Sequence, residues 1–79
     1  MPTESEIISV IKTVLQHSNK PADNVELSSF LYDGGLGIDS LSAAELSAAL
    51  EKKFGKDPYT RGQLPQTVAE LVQFYAAAK

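Results

Sequence analysis

Only one stretch of this 79-residue chain gathers glycines, acids and a hydroxyl nucleophile: Asp33-Gly34-Gly35-Leu36-Gly37-Ile38-Asp39-Ser40-Leu41. Several chemistries use strings of this kind. A phosphate-cradling P-loop ends in Gly-Lys-Ser/Thr, and the string holds no lysine. A dinucleotide fingerprint follows a strand, and no alternating strand pattern precedes this one. A serine hydrolase needs a histidine base. The one histidine, His17, lies in a helical pattern upstream, where a lone His reads as a surface residue. What remains is Ser40 at a helix start, behind a glycine-rich loop and beside Asp39. Unpaired N–H groups and the helix dipole favour an anion at such a start, so a phosphate esterified to Ser40 would be electrostatically comfortable. Serine is also a preferred N-cap, and taken alone that role suffices to explain it.

The rest of the composition narrows the classes. A chain this short holds one small core, read as a single domain over 1–79 that buries about 60% of its unfolded surface. At 43% hydrophobic residues it is too apolar for a disordered tail. The absence of Cys excludes disulfides, thiolate zinc sites and a cysteine nucleophile, and one His cannot build a histidine metal site. A net charge of −3 argues against nucleic acid as a partner. No segment approaches the roughly 18 apolar residues of a membrane span. Met1-Pro2-Thr3-Glu4 lacks the order of a secretion signal. A soluble, cytoplasmic monomer is expected. So few residues leave no room for an enclosed pocket of the usual volume, so a binding or carrier module is expected rather than an enzyme.

The elements that must position Ser40 are helical. Thr3 and Glu6 read as a capping box, and Ile7, Ile8, Ile11, Val14 and Leu15 follow at helical spacing to about Ser18. Asn19, Lys20 and Pro21 stop that helix. Residues 19–38 mix loop formers (Pro21, Asp23, Asn24, Asp33 and three glycines) with apolar residues. They read as a loop folded over the core, with a short helical turn near Glu26–Phe30. Asp39 to Phe54 reads as a second helix, capped by Asp39 or Ser40 and ended by Gly55, with Lys52 and Lys53 in its last turn. A short turn is expected around Tyr59–Leu64. Thr67 and Glu70 form a second capping box before a final helix that runs to the C-terminus. The fold class is all-α, a small bundle of three main helices.

The second helix carries two apolar stripes. On a wheel of about 100° per residue, Leu46, Leu50 and Phe54 fall within roughly 80°, with Ala43 between them. The expected core is Ile7, Ile11, Val14, Phe30, Leu46, Leu50, Phe54, Val68, Leu71, Val72 and Tyr75. Leu41, Ala44 and Ala48 lie on the opposite side, flanked by Glu45, Glu51 and Lys52. Alanines are also plain helix formers. The second stripe otherwise reads as a docking surface with an apolar centre and a charged rim. Residues 1–51 hold eight acidic and two basic side chains, and residues 52–79 hold two and five.

Leu36-Gly37-Ile38-Asp39-Ser40-Leu41, followed by Glu45-Leu46, Leu50-Glu51 and Phe54, resembles the acyl carrier protein family. The resemblance covers nearly the whole chain. It implies that Ser40 carries 4′-phosphopantetheine, with Asp39 assisting attachment. A phosphopantetheinyl transferase would supply the group from coenzyme A, using magnesium at its own site. The arm's thiol would hold acyl groups as thioesters for separate loading, condensing or tailoring enzymes of polyketide, fatty-acid or related biosynthesis. Leu41, Ala44, Glu45, Ala48, Glu51 and Lys52 would dock those partners. Phe30 looks like the family's loop aromatic that plugs the bundle. Relative to fatty-acid carriers, Ser42, Lys52 and Lys53 stand where acids are usual, and Ala44 and Ala48 are small. These departures favour a discrete carrier of a specialised polyketide or hybrid pathway. An aminoacyl or peptidyl carrier is the alternative, against which stands Asp39 before the serine. A helical interaction domain in which Ser40 only caps is the alternative of another class.

Overall fold

The computed structural model describes residues 3–23, 25–32 and 34–77. Asn24 and Asp33, expected as loop formers, lie outside these residues. So do Met1, Pro2, Ala78 and Lys79. Helix α1 spans Glu4–His17, α2 Ser40–Phe54 and α3 Val68–Ala77, with a 3₁₀ turn at Tyr59–Arg61. No strand occurs among the described residues. The all-α bundle read from the sequence is the architecture observed.

Helix α1 begins with the expected capping box. The Glu6 N–H donates to Thr3 Oγ1 at 3.2 Å, and the Thr3 N–H to Glu6 Oε1 at 2.8 Å. It buries Ile7, Val10, Ile11, Val14 and Leu15 and packs against both α2 and α3. It ends in a Schellman motif. Asn19 takes a left-handed φ of 57°, its N–H donates to Gln16 O, and the Lys20 N–H donates to Leu15 O at 2.9 Å. That turn satisfies two terminal carbonyls and fixes the backbone of Lys20.

The long loop is ordered by backbone hydrogen bonds rather than by a helix. Where a helical turn was expected near Glu26–Phe30, there is one hydrogen-bonded turn, Ser29 N–H to Glu26 O at 3.0 Å. Further on, the Leu36 N–H donates to Phe30 O at 2.7 Å and the Ile38 N–H to Leu31 O at 2.9 Å. The chain closes so tightly that a Cβ on Gly35 would stand 2.0 Å from the Phe30 carbonyl oxygen, so only glycine fits there. The loop is also sewn to the start of α3. Phe30 and Thr67 form an isolated antiparallel bridge. The Val68 and Ala69 N–H groups, without intrahelical partners at a helix start, donate to Ser29 O and Leu27 O.

That bridge corrects one expectation. Phe30 does not plug the bundle: it is 38% exposed and packs edge-to-face on Tyr32, with ring centroids 5.9 Å apart. Successive side chains of extended backbone point to opposite sides. With Phe30 turned outward, Leu31 faces inward and is fully buried, as is Ile38 to within 2%. Two further residues are shifted. Phe54, at the edge of its stripe and the end of α2, is only half-buried and rests against the Tyr75 ring. On α3, Val72 is half-buried while Phe74 is buried beside Tyr75. The remaining expected core residues are buried. The second capping box is half formed: the Glu70 N–H donates to Thr67 Oγ1, but the Glu70 carboxylate accepts from Gln66 N–H.

Asp57 is fully buried, and its carboxylate is well bonded. It accepts from Ser47 Oγ on α2 at 2.8 Å and from the Thr60 N–H and hydroxyl in the 3₁₀ turn. A buried acid so placed fixes the turn to α2. Tyr75 donates to Lys56 O at 2.7 Å, and burial pushes its ionisation well above the usual tyrosine range.

Leu50 lies at the centre of the bundle, so Leu50→Ala should lower stability by about 2–5 kcal/mol. Phe54→Ala, at a half-open edge, should lower it by less. Urea denaturation of the two variants checks this ordering, and the reverse order would contradict the placement of α2.

Candidate functional site

Helix α2 starts at Ser40, and Asp39 is its cap. Asp39 has extended backbone, and its Oδ1 accepts the Ser42 N–H at 2.8 Å. With Asp39 in that role, Ser40 becomes the first helical residue and is not the cap. Its side chain is exposed and makes no hydrogen bond among the described residues. The hydroxyl is thus open to chemistry, beside backbone N–H groups of a helix start. Gly37, two residues before Asp39, takes a left-handed φ of 79° that turns the loop into the helix.

The end of α1 lies against this start through three side-chain contacts. Ser18 Oγ and Ser42 Oγ share a hydrogen bond of 2.7 Å, which explains why Ser42 is only 2% exposed. His17 Nδ1 bonds Glu45 Oε2 at 2.5 Å. Lys20 Nζ stands 3.6 Å from Asp39 Oδ2. Residues 39, 42 and 45 rise along one side of α2 and meet residues 20, 18 and 17 in reverse order. The first turn of α2 is thereby held against the end of α1, while the opposite face stays open.

That open face is the second stripe. Leu41 is 80% exposed, and Ala44, Ala48, Glu51 and Lys52 are exposed with it. Glu45 is half-buried, since its carboxylate leans toward His17. All the residues expected to dock partners therefore reach the surface, although Glu45 already has a partner within the chain. The sequence reading did not find Ser18 or Lys20 at this site. Both lie at a helix stop, where hydrophobic periodicity carries no signal.

A family model described as "Phosphopantetheine attachment site" matches residues 5–74. The chain belongs to this family. Neither a curated protein nor a solved structure matches it. The family is defined by covalent attachment of 4′-phosphopantetheine to a serine, so the protein is a phosphopantetheine carrier. Carrier domains of this kind are generally non-catalytic and interact with phosphopantetheinyl transferases and pathway enzymes. No helix among the described residues is long and apolar enough to cross a membrane.

The residues at the start of α2 fit the group. An exposed, unbonded hydroxyl at the first helical position can take a phosphoester without breaking any contact, and the helix start favours the phosphate's charge.

The hydrogen bond from Ser42 N–H, with the charge of Lys20 adding to it, holds the Asp39 carboxyl below the usual aspartate range. The stabilisation from charged Asp39 is therefore fully present above the unfolded value of about 3.9 and is lost as pH falls through the lower folded value. Asn caps as well as Asp but has no charge. Asp39→Asn should thus melt a few degrees below the wild type at pH 6, and the gap should close in more acidic solution, below the folded value. A gap that persisted after Asp39 is protonated would contradict the assignment.

Proposed function

We propose that Ser40 carries the 4′-phosphopantetheine arm and that the protein is an acyl carrier of a specialised polyketide or related pathway. The observation that carries the reading is the Ser40 hydroxyl, exposed and unbonded at the first position of α2. The other serines of the loop and helix differ. Ser42 is buried against Ser18, Ser47 donates to Asp57, and Ser29 accepts from the Glu26 N–H. Ser28 is exposed but sits in a turn. None stands at a helix start beside a capping acid.

In this reading a transferase aligns the Ser40 hydroxyl with the phosphate of coenzyme A. The Ser40 oxygen bonds to the phosphorus that bears the pantetheine, the pyrophosphate P–O bond of coenzyme A breaks, adenosine 3′,5′-bisphosphate leaves, and the hydroxyl proton is released to the transferase. Asp39 keeps the helix start fixed, so that Ser40 is presented in one geometry. When attached, the arm supplies a thiol that holds acyl groups as thioesters. The chain's own part is to bind each enzyme weakly and release it, which suits a small apolar face with a charged rim. The departures from strong acidity at Ser42, Lys52 and Lys53 support a specialised pathway over housekeeping fatty-acid synthesis.

Coexpression with a phosphopantetheinyl transferase should add the mass of one phosphopantetheine to the wild type and none to Ser40→Ala, which should remain folded by circular dichroism. An unmodified wild type would favour an interaction domain without a prosthetic group, and a modified Ser40→Ala would overturn the assignment.

The open face makes a separate prediction. Leu41→Ala should slow loading severalfold with little change in melting temperature, and Glu45→Lys should slow it severalfold while also lowering the melting temperature slightly through loss of the His17 bond. Glu51→Lys, two turns further from Ser40, should slow it less. Lys52→Glu should alter partner choice more than stability. The charge effects should weaken with salt. Unchanged loading rates in all four variants, measured at two ionic strengths, would return the stripe to exposed helix formers.

A further inference from the structure

Attachment of the arm creates an electrostatic problem at this helix start. A phosphodiester at Ser40 places a negative charge one residue from the Asp39 carboxylate, and like charges this close destabilise one another. The partial positive charge of the helix N-terminus offsets part of this. The structure supplies a full cation as well. Lys20 Nζ lies 3.6 Å from Asp39 Oδ2, on the oxygen that the Ser42 cap leaves open.

Lys20 is not placed there by chance rotation of a free surface chain. Its backbone N–H is tied to Leu15 O in the Schellman turn, and Pro21 follows it. Its side chain is three-quarters covered. The stem runs along the loop, with Cε 3.7 Å from where a Gly37 Cβ would stand. A side chain held at its backbone and along its stem loses little further freedom when the ammonium takes a partner. Among the described residues, Lys20 is the lysine paired with Asp39 at this end of α2. Lys52 and Lys53 lie near its far end, about 18 Å along the axis.

We infer that Lys20 is the positioning residue for the loaded serine: its ammonium bridges the Asp39 carboxylate and the phosphodiester of an arm on Ser40. The end of α1 thus belongs to the attachment site, which the Asp39-Ser40-Leu41 string alone does not disclose. The inference rests on the assignment of Ser40. It deepens that assignment by giving the phosphate a partner within the chain.

The consequence is that Lys20 matters more with the arm than without it. The test compares melting temperatures of apo and holo protein for the wild type, Lys20→Met and Lys20→Arg, at low salt and at about 0.5 M salt. At low salt, Lys20→Met should lower the holo melting temperature by roughly 2–5 °C more than it lowers the apo value. That excess should shrink at high salt, and Lys20→Arg should behave as the wild type. Equal losses in apo and holo, or an excess indifferent to salt, would overturn the proposal, since Lys20 would then serve Asp39 alone. Mass analysis of Ser40→Ala separates the two levels. If that variant takes up the arm, the Ser40 assignment falls and the bridge with it. If it does not, equal losses count against Lys20 alone.

Discussion

The hydrogen bond from the Ser42 N–H to the Asp39 carboxylate sets where α2 begins, and the arrangement of the site follows from that starting point. With Asp39 outside the helix, Ser40 is its first residue, and the 100° advance per residue then fixes every later face. Leu46 and Leu50 turn to the core and Leu41 to solvent. A cap one residue later would occupy the Ser40 hydroxyl with a backbone N–H. The acid before the serine therefore does two things at once: it satisfies an orphan donor of the helix, and it leaves the neighbouring hydroxyl free.

The cap is itself held from two sides. From α1, the contacts of His17, Ser18 and Lys20 pin residues 45, 42 and 39. From the loop, Leu31 and Ile38 are buried in the same core as Ile7, Leu46 and Leu71, with their backbones paired by the Ile38 N–H to Leu31 O bond. The loop then reaches across to the start of α3, where its Ser29 and Leu27 carbonyls accept the Val68 and Ala69 N–H groups. A 22-residue connection with little regular structure is thereby tied to both helices, since described backbone groups in it are bonded and Val25, Leu31 and Ile38 are buried, while Leu27 and Phe30 stay exposed. The face opposite the core bears none of these contacts except the Glu45 bond to His17, and so it remains available to partners.

Much of this is legible in the chain itself. The capping box at Thr3, the stripe of Leu46 and Leu50 and the glycine stop at Gly55 are local signals, and local geometry decides them. The 33–41 string stands out because it gathers glycines, acids and a serine just before a helix. What is not legible depends on contacts between distant residues. Phe30 and Leu31 are adjacent apolar residues, and only the bridge to Thr67 decides which of them faces inward. Lys20 reads as a helix stop because its meeting with Asp39 depends on how two helix ends come together. No local pattern marks Asp57 for burial, and only a serine on α2 and a threonine three residues on let it be buried.

The central claim is that an acid cap frees the adjacent Ser40 to carry the arm. Its most direct test is fragmentation mass spectrometry of the holo wild-type protein, made by coexpression with a phosphopantetheinyl transferase and digested to peptides. The account predicts a single modified peptide, with fragment ions that place the phosphopantetheine on Ser40. Modification located on Ser28, Ser29, Ser42, Ser47 or any other serine would contradict it.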